Sequence, residues 1–100
     1  MNGTVPMTFK SHIDGKNADV TIHPDRIEWA LEAPRLAVFK KQRGSEMIPV
    51  SRISSVATQK DGLRFTIVRV ITTGNTIEFR VGHGQAQEIK ALLSHLMLAA

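Results

Sequence analysis

Apolar and polar residues alternate in two short runs between Ala18 and Leu31. A period of two places successive side chains on opposite faces of a β-strand, one facing a core and the other facing water. The runs are separated by His23-Pro24-Asp25-Arg26, in which proline and aspartate suit the middle of a tight turn. The sequence therefore predicts two antiparallel strands joined by a turn.

Other segments are also rich in residues that favour strands, and glycine-containing turns such as Lys60-Asp61-Gly62 and Thr73-Gly74-Asn75 separate some of them. In the densest segment we expect Leu63, Phe65, Ile67 and Ile71 to share one face, while Val68 and Val70 make the outer face partly apolar. The further predicted strands are Met7–Ile13 (followed by a turn over Asp14-Gly15-Lys16-Asn17), a short one around Leu36–Lys40, Met47–Val50, Ile53–Gln59, Leu63–Thr72, and Thr76–Val81 with Ile77, Phe79 and Val81 inward.

The period changes after Gly82-His83-Gly84. Apolar residues then recur at steps of three and four, which is typical of one apolar stripe on a helix. We predict a helix over Gln85–Leu98, and a helix of this length is marginal in water unless it packs on the sheet. The stripe consists of Ala86, Ile89, Leu92, Leu93, Leu96 and Met97.

The chain of 100 residues has the length of one domain, so we predict a single domain over residues 1–100 with a flexible tail at 1–6. Because the sequence contains no cysteine, it has no disulfide, thiol nucleophile or thiolate metal site. No apolar run approaches the roughly 20 residues of a membrane helix, and residues 1–7 do not read as a signal peptide. We therefore expect a cytoplasmic protein.

The predicted order of strands followed by one helix resembles the pleckstrin-homology-like superfold, and most closely its bacterial and GRAM-type members. The resemblance lies in ADVTIHPDRIEWAL (18–31), MIPVSRISSV (47–56) and GLRFTIVRVITTGNTIEFRV (62–81), and covers about four-fifths of the chain. It implies an α+β, mainly β fold, an antiparallel barrel or sandwich of about seven strands capped by the C-terminal helix.

Catalytic and metal-binding motifs are not recognisable in the sequence. The candidates would be His12, His23, His83 and His95, but no spacing of metal ligands and no activated-nucleophile signature accompanies them. We therefore expect a protein that is not an enzyme and holds no cofactor or metal ion.

Two surfaces are candidates for binding. The basic stretch formed by Arg35, Lys40, Lys41 and Arg43 suits an anionic lipid or another acidic partner, or it serves only as a solubilising loop. The apolar outer face predicted at Val68 and Val70 suits a protein partner or a second copy, unless the helix or the N-terminal segment covers it.

A net charge of +4 favours acidic partners in general. With only five aromatic residues, nucleic acid is not the expected partner. We predict a non-catalytic binding or adaptor module for a partner protein. The alternatives are peripheral binding to anionic membrane through the basic loop, and a small hydrolase that uses one of the histidines.

Overall fold

The computed structural model describes residues 5–31 and 45–99, which form seven strands, a short 3-10 helix and one α-helix. The basic stretch and the strand predicted around Leu36–Lys40 lie outside the described residues. The elements are β1 (Met7–Ile13), β2 (Lys16–Ile22), β3 (Arg26–Leu31), β4 (Ser45–Pro49), the 3-10 helix (Val50–Arg52), β5 (Ile53–Asp61), β6 (Phe65–Thr72), β7 (Asn75–Gly82) and α1 (His83–Ala99).

The first hairpin turns within two residues. Asp14 and Gly15 both have positive φ angles, +53° and +78°, which is the conformation that the twist of antiparallel strands favours in a two-residue turn. Pairing resumes at once between Ile13 and Lys16. The turn is therefore shorter than the four residues predicted from the sequence.

All seven strands belong to one antiparallel sheet in the order β4-β3-β2-β1-β7-β6-β5. Neighbours along the chain pair as hairpins within β1–β3 and within β5–β7, whereas β1 and β7 are far apart in sequence and pair through His12 and Arg80. This pairing joins the two halves of the chain and leaves β4 and β5 at the ends of the strand order.

The sheet bends over a core that both halves share. Trp29 on β3 and Phe79 on β7 are three strand spacings apart, which would be about 14 Å in a flat sheet. Their ring centroids are 6.0 Å apart in an edge-to-face contact, and Phe9 on β1 packs against Phe79 at 6.2 Å. The curvature therefore brings aromatic residues from distant strands into one cluster.

Helix α1 covers the part of the core that the sheet leaves open. Ala86, Ile89, Leu92 and Leu93 are buried, and Leu96 and Met97 pack against the same cluster, so the predicted apolar stripe is confirmed. The helix is 17 residues long and begins at His83, two residues before the predicted start.

A mainly β, α+β fold of seven antiparallel strands with one C-terminal helix is compatible with the pleckstrin-homology-like fold.

The faces of β6 are the reverse of the prediction. Val68 and Val70 are both 0% exposed, and they pair with Phe79 and Ile77 on the inward face of β7. The outer face of β6 instead carries half-buried residues, including Ile67. Both faces of this strand are apolar, so the alternation could not separate them, whereas the register of the β6–β7 hairpin does.

Candidate interaction surface

Strand β5 is the longer of the two strands that end the order of the described sheet. It is nine residues long and, within residues 5–31 and 45–99, it pairs only with β6. The register shifts between Ile53 and Ser55, and the pairing is regular from Ser55 to Asp61. Half of the backbone N–H and C=O groups along an edge strand point away from its neighbour, so β5 presents a row of hydrogen-bonding groups about 30 Å long.

The edge of β5 carries few of the features that usually discourage strand pairing. Such edges are commonly protected by lysine, proline or inward-pointing charge. From Ile53 to Gln59 the strand contains neither a charged residue nor proline, and its first charge is Lys60. The bulge near Ile53 limits pairing at one end only. The remaining stretch is therefore suited to accept another strand.

Helix α1 and β5 together border a hollow of about 180 Å³ at the end of this edge. Thr58 and Lys60 line it from the strand, and both are exposed. Their side chains share the inward face of β5, because they pair opposite Val68 and Thr66 of β6. The hollow is thus positioned to hold a side chain of a segment that lies along β5. The helix side of the hollow is formed by His83, Ala86 and Gln87.

His83 is hydrogen-bonded through both ring nitrogens beside this hollow. Its Nε2 lies 2.8 Å from the carbonyl oxygen of Leu63, and its Nδ1 lies 2.6 Å from the hydroxyl oxygen of Thr66. A carbonyl oxygen only accepts, so Nε2 carries the proton and, in the neutral ring, Nδ1 accepts from Thr66. Both ring nitrogens therefore serve to fix the β5–β6 turn to the start of α1.

The opposite, outer face of the same strands is cross-linked by ion pairs. Arg80 contacts Asp61 at 2.7 Å and lies 3.9 Å over the ring of Phe65, and Arg69 contacts Glu78 at 2.8 Å. A second hollow of about 280 Å³ lies beside this network. Its polar groups include Arg80 and Glu78, which are already paired with Asp61 and Arg69, respectively. We therefore consider the β5 edge the better candidate.

Those residues considered as sites from the sequence that lie within 5–31 and 45–99 do not form one cluster. Val68 and Val70 lie beneath the surface, so the prediction that they form an exposed interface is wrong. His23 pairs with Glu28 at 2.8 Å, and His12 and His95 are exposed on different elements. In the part of the chain that the structure describes, no three histidine, cysteine or acidic side chains form a group that could hold a metal ion.

The β5 edge was not singled out as a site by the sequence analysis. Its signal was present in the uncharged run from Ile53 to Gln59, but which strand ends a sheet depends on pairing between distant segments.

The sequence also gives no homologous site to transfer: no protein-family model matches the chain, and no curated protein is significantly similar to it. Among the described helices, none is both long and apolar enough to cross a lipid bilayer.

Proposed function

We propose that the chain is a non-catalytic, pleckstrin-homology-like module of bacterial or GRAM type that binds an extended segment of a partner protein alongside β5. The observation that carries the proposal is the edge of β5, which has no charge and no proline between Ile53 and Gln59 and lies next to α1. Added strands gain affinity from main-chain hydrogen bonds, each worth about 0.5–1.5 kcal/mol net, and gain specificity from side-chain hollows.

The hollow at Thr58 and Lys60 is the element of this surface that could select a side chain. A segment paired with β5 would place every second side chain on the face that the hollow shares with α1.

The proposal includes a cytoplasmic setting, to which a chain without cysteine is suited. Binding of anionic membrane through Arg35, Lys40, Lys41 and Arg43 is a separate hypothesis that rests on the sequence alone.

The proposal is tested by selecting binders from a displayed library of unstructured peptides and mapping their footprint by amide hydrogen exchange. We expect slower exchange at alternate residues of β5, because only the amides that point away from β6 gain a partner. Protection confined to another element, or a library that yields no binder, would overturn the proposal.

Proline variants make the test specific to the backbone. Successive residues of an edge strand point their N–H groups to opposite sides, so one of Ala57→Pro and Thr58→Pro removes an outward donor and the other breaks pairing with β6. The variant that keeps the wild-type unfolding transition is the informative one. We expect it to lose binding of the selected peptides. Unchanged affinity in that folded variant contradicts strand addition.

A further inference from the structure

Among the described residues, some basic side chains form ion pairs and others do not. Lys10, Arg26, Arg69 and Arg80 each have an acidic partner, and these pairs involve β1, β2, β3, β5, β6, β7 and the turn before β3. The remaining basic side chains have no ion pair with any described acidic residue. These are Lys16, Arg52, Lys60, Arg64 and Lys90.

Four of these five cations surround the edge of β5. Arg52 directly precedes the strand, Lys60 is near its end, and Arg64 is in the turn that follows. Lys90 lies on α1 three residues after Gln87, which puts it on the same side of the helix as the residue that lines the hollow. Positive charge therefore lies at both ends of the edge and on its helix side.

The nearby carboxylates do not neutralise this charge. Asp61 pairs opposite Phe65, so it lies on the outer face of the sheet, where Arg80 binds it at 2.7 Å. Glu88 on α1 accepts from Gln85 at 3.4 Å, and Gln85 contacts Met7 of β1, on the side of the helix away from the hollow. The inner side of the β5 edge is therefore left with a net positive charge among the described residues.

We infer that the segment accepted by β5 is acidic, with an uncharged strand-forming centre and aspartate or glutamate at its ends. This inference rests on the proposed function. The centre would pair with the uncharged run of β5, one acidic end would lie near Lys60 and Arg64, and the other near Arg52. A protein segment fits better than nucleic acid, because neither β5 nor α1 contains a phenylalanine, tyrosine or tryptophan on which bases could stack, and both ring nitrogens of His83 are engaged by Thr66 and Leu63.

The test uses labelled synthetic peptides that match the nine residues of β5 in length. All have the same alternating threonine–valine centre, and their ends are acidic, neutral (asparagine and glutamine) or basic. We expect fluorescence anisotropy to give the acidic peptide about three- to tenfold higher affinity than the neutral one, and the basic peptide the lowest. The preference should shrink as salt is added, because these charges are exposed.

Matched charge reversals locate the preference. Lys60→Glu should weaken binding of the acidic peptide about three- to tenfold and strengthen binding of the basic one. Lys16→Glu changes the net charge equally but lies on β2, four strands from β5 in the sheet order, and should leave the affinity within about twofold. An equal effect of the two variants would overturn the inference, because it would reflect net charge alone.

Backbone methylation separates this inference from the proposed function. An acidic peptide whose central residues all carry N-methyl groups cannot donate main-chain hydrogen bonds from either side of the strand. If the methylated peptide binds as well as the parent, strand addition is wrong. If methylation abolishes binding but the acidic and neutral peptides bind equally, the proposed function stands and the acidic preference is wrong. If none of the peptides binds, both the proposed function and the acidic preference are wrong. If single-stranded DNA or phosphatidylserine vesicles bind more tightly than the peptides, and this binding depends on Lys60, the partner is not a peptide.

Discussion

The Nδ1 atom of His83 accepts a 2.6 Å hydrogen bond from the hydroxyl of Thr66, a threonine that is only 7% exposed. This bond joins the first residue of α1 to β6, the strand next to the edge strand β5. It also orients the imidazole so that Nε2 reaches the carbonyl of Leu63. A side chain with two structural partners thus connects the start of the helix to the β5–β6 turn and to β6 beside the proposed binding hollow.

Replacing Thr66 with valine tests the contribution of this bond. The variant keeps the shape of the side chain but leaves Nδ1 of His83 without its partner, so we expect a loss of about 1–2 kcal/mol in the free energy of unfolding. Urea denaturation measures it. The matched control is Thr76→Val, at an exposed position of β7, which should change stability by no more than about 0.5 kcal/mol. Equal stabilities of the two variants would contradict the role assigned to Thr66.

Aspartate at Val68 or Val70 should prevent folding. Each valine is fully buried, and an unpaired carboxylate there either remains charged at a large desolvation cost or takes up a proton. We expect Val68→Asp to lose the cooperative thermal transition seen by circular dichroism. Ile71→Thr, on the half-buried outer face of the same strand, should cost no more than about 1 kcal/mol. A folded Val68→Asp protein would show that the faces of β6 have been assigned wrongly.

Two glycine-to-alanine substitutions should have opposite effects on stability. Gly15 has a φ of +78°, so alanine there is strained and should destabilise the protein by about 1 kcal/mol. Gly84 lies in the first turn of α1, has no positive φ, and an added Cβ would meet nothing within 4 Å. Alanine at this position should stabilise by about 0.5–1 kcal/mol, because glycine loses more backbone entropy in a helix. Thermal unfolding of the two variants checks the signs, and a shift in the same direction would be contrary to this account.

Much of the fold could be predicted from local patterns. The alternation around the turn at Pro24 and the three- and four-residue steps after Gly84 define elements whose one face is apolar, and the structure confirms them. The prediction failed where both faces were apolar. Leu63, assigned to a strand face, is 96% exposed in the turn, and Val68 lies in the core instead of outside it. Only the pairing with β7, which depends on the turn at Gly74, distinguishes the two faces.

The candidate site was less accessible to sequence reasoning for a different reason. An edge is a property of the whole sheet, and the strand order follows from the pairing of His12 with Arg80, which are distant in sequence. The absence of charge around Ala57 becomes informative only once β5 is known to end the strand order. Likewise, the charge of Lys60 matters because Asp61, next to it in sequence, lies on the opposite face with Arg80.

Phe79 has the largest of the fully buried side chains in the described core, and Trp29 can report on its environment. Phe79 is 1% exposed and makes edge-to-face contacts with both Phe9 and Trp29. Phe79→Ala would leave a cavity between the two halves of the sheet and should cost about 3–5 kcal/mol. That is a large share of the roughly 5–15 kcal/mol typical of a domain of this kind.

The fluorescence of Trp29 should report the same change, since it is the only tryptophan in the chain. In the wild type we expect blue-shifted emission from a buried indole, and in Phe79→Ala a red shift together with a lower urea midpoint. Phe79→Leu fills more of the space and should lose less stability, about 1–2 kcal/mol. Leu63→Ala, at the exposed turn, is the matched large-to-small control and should leave both the emission maximum and the midpoint unchanged. If Phe79→Ala behaves like Leu63→Ala, the sheet does not bring β3 and β7 together around this ring.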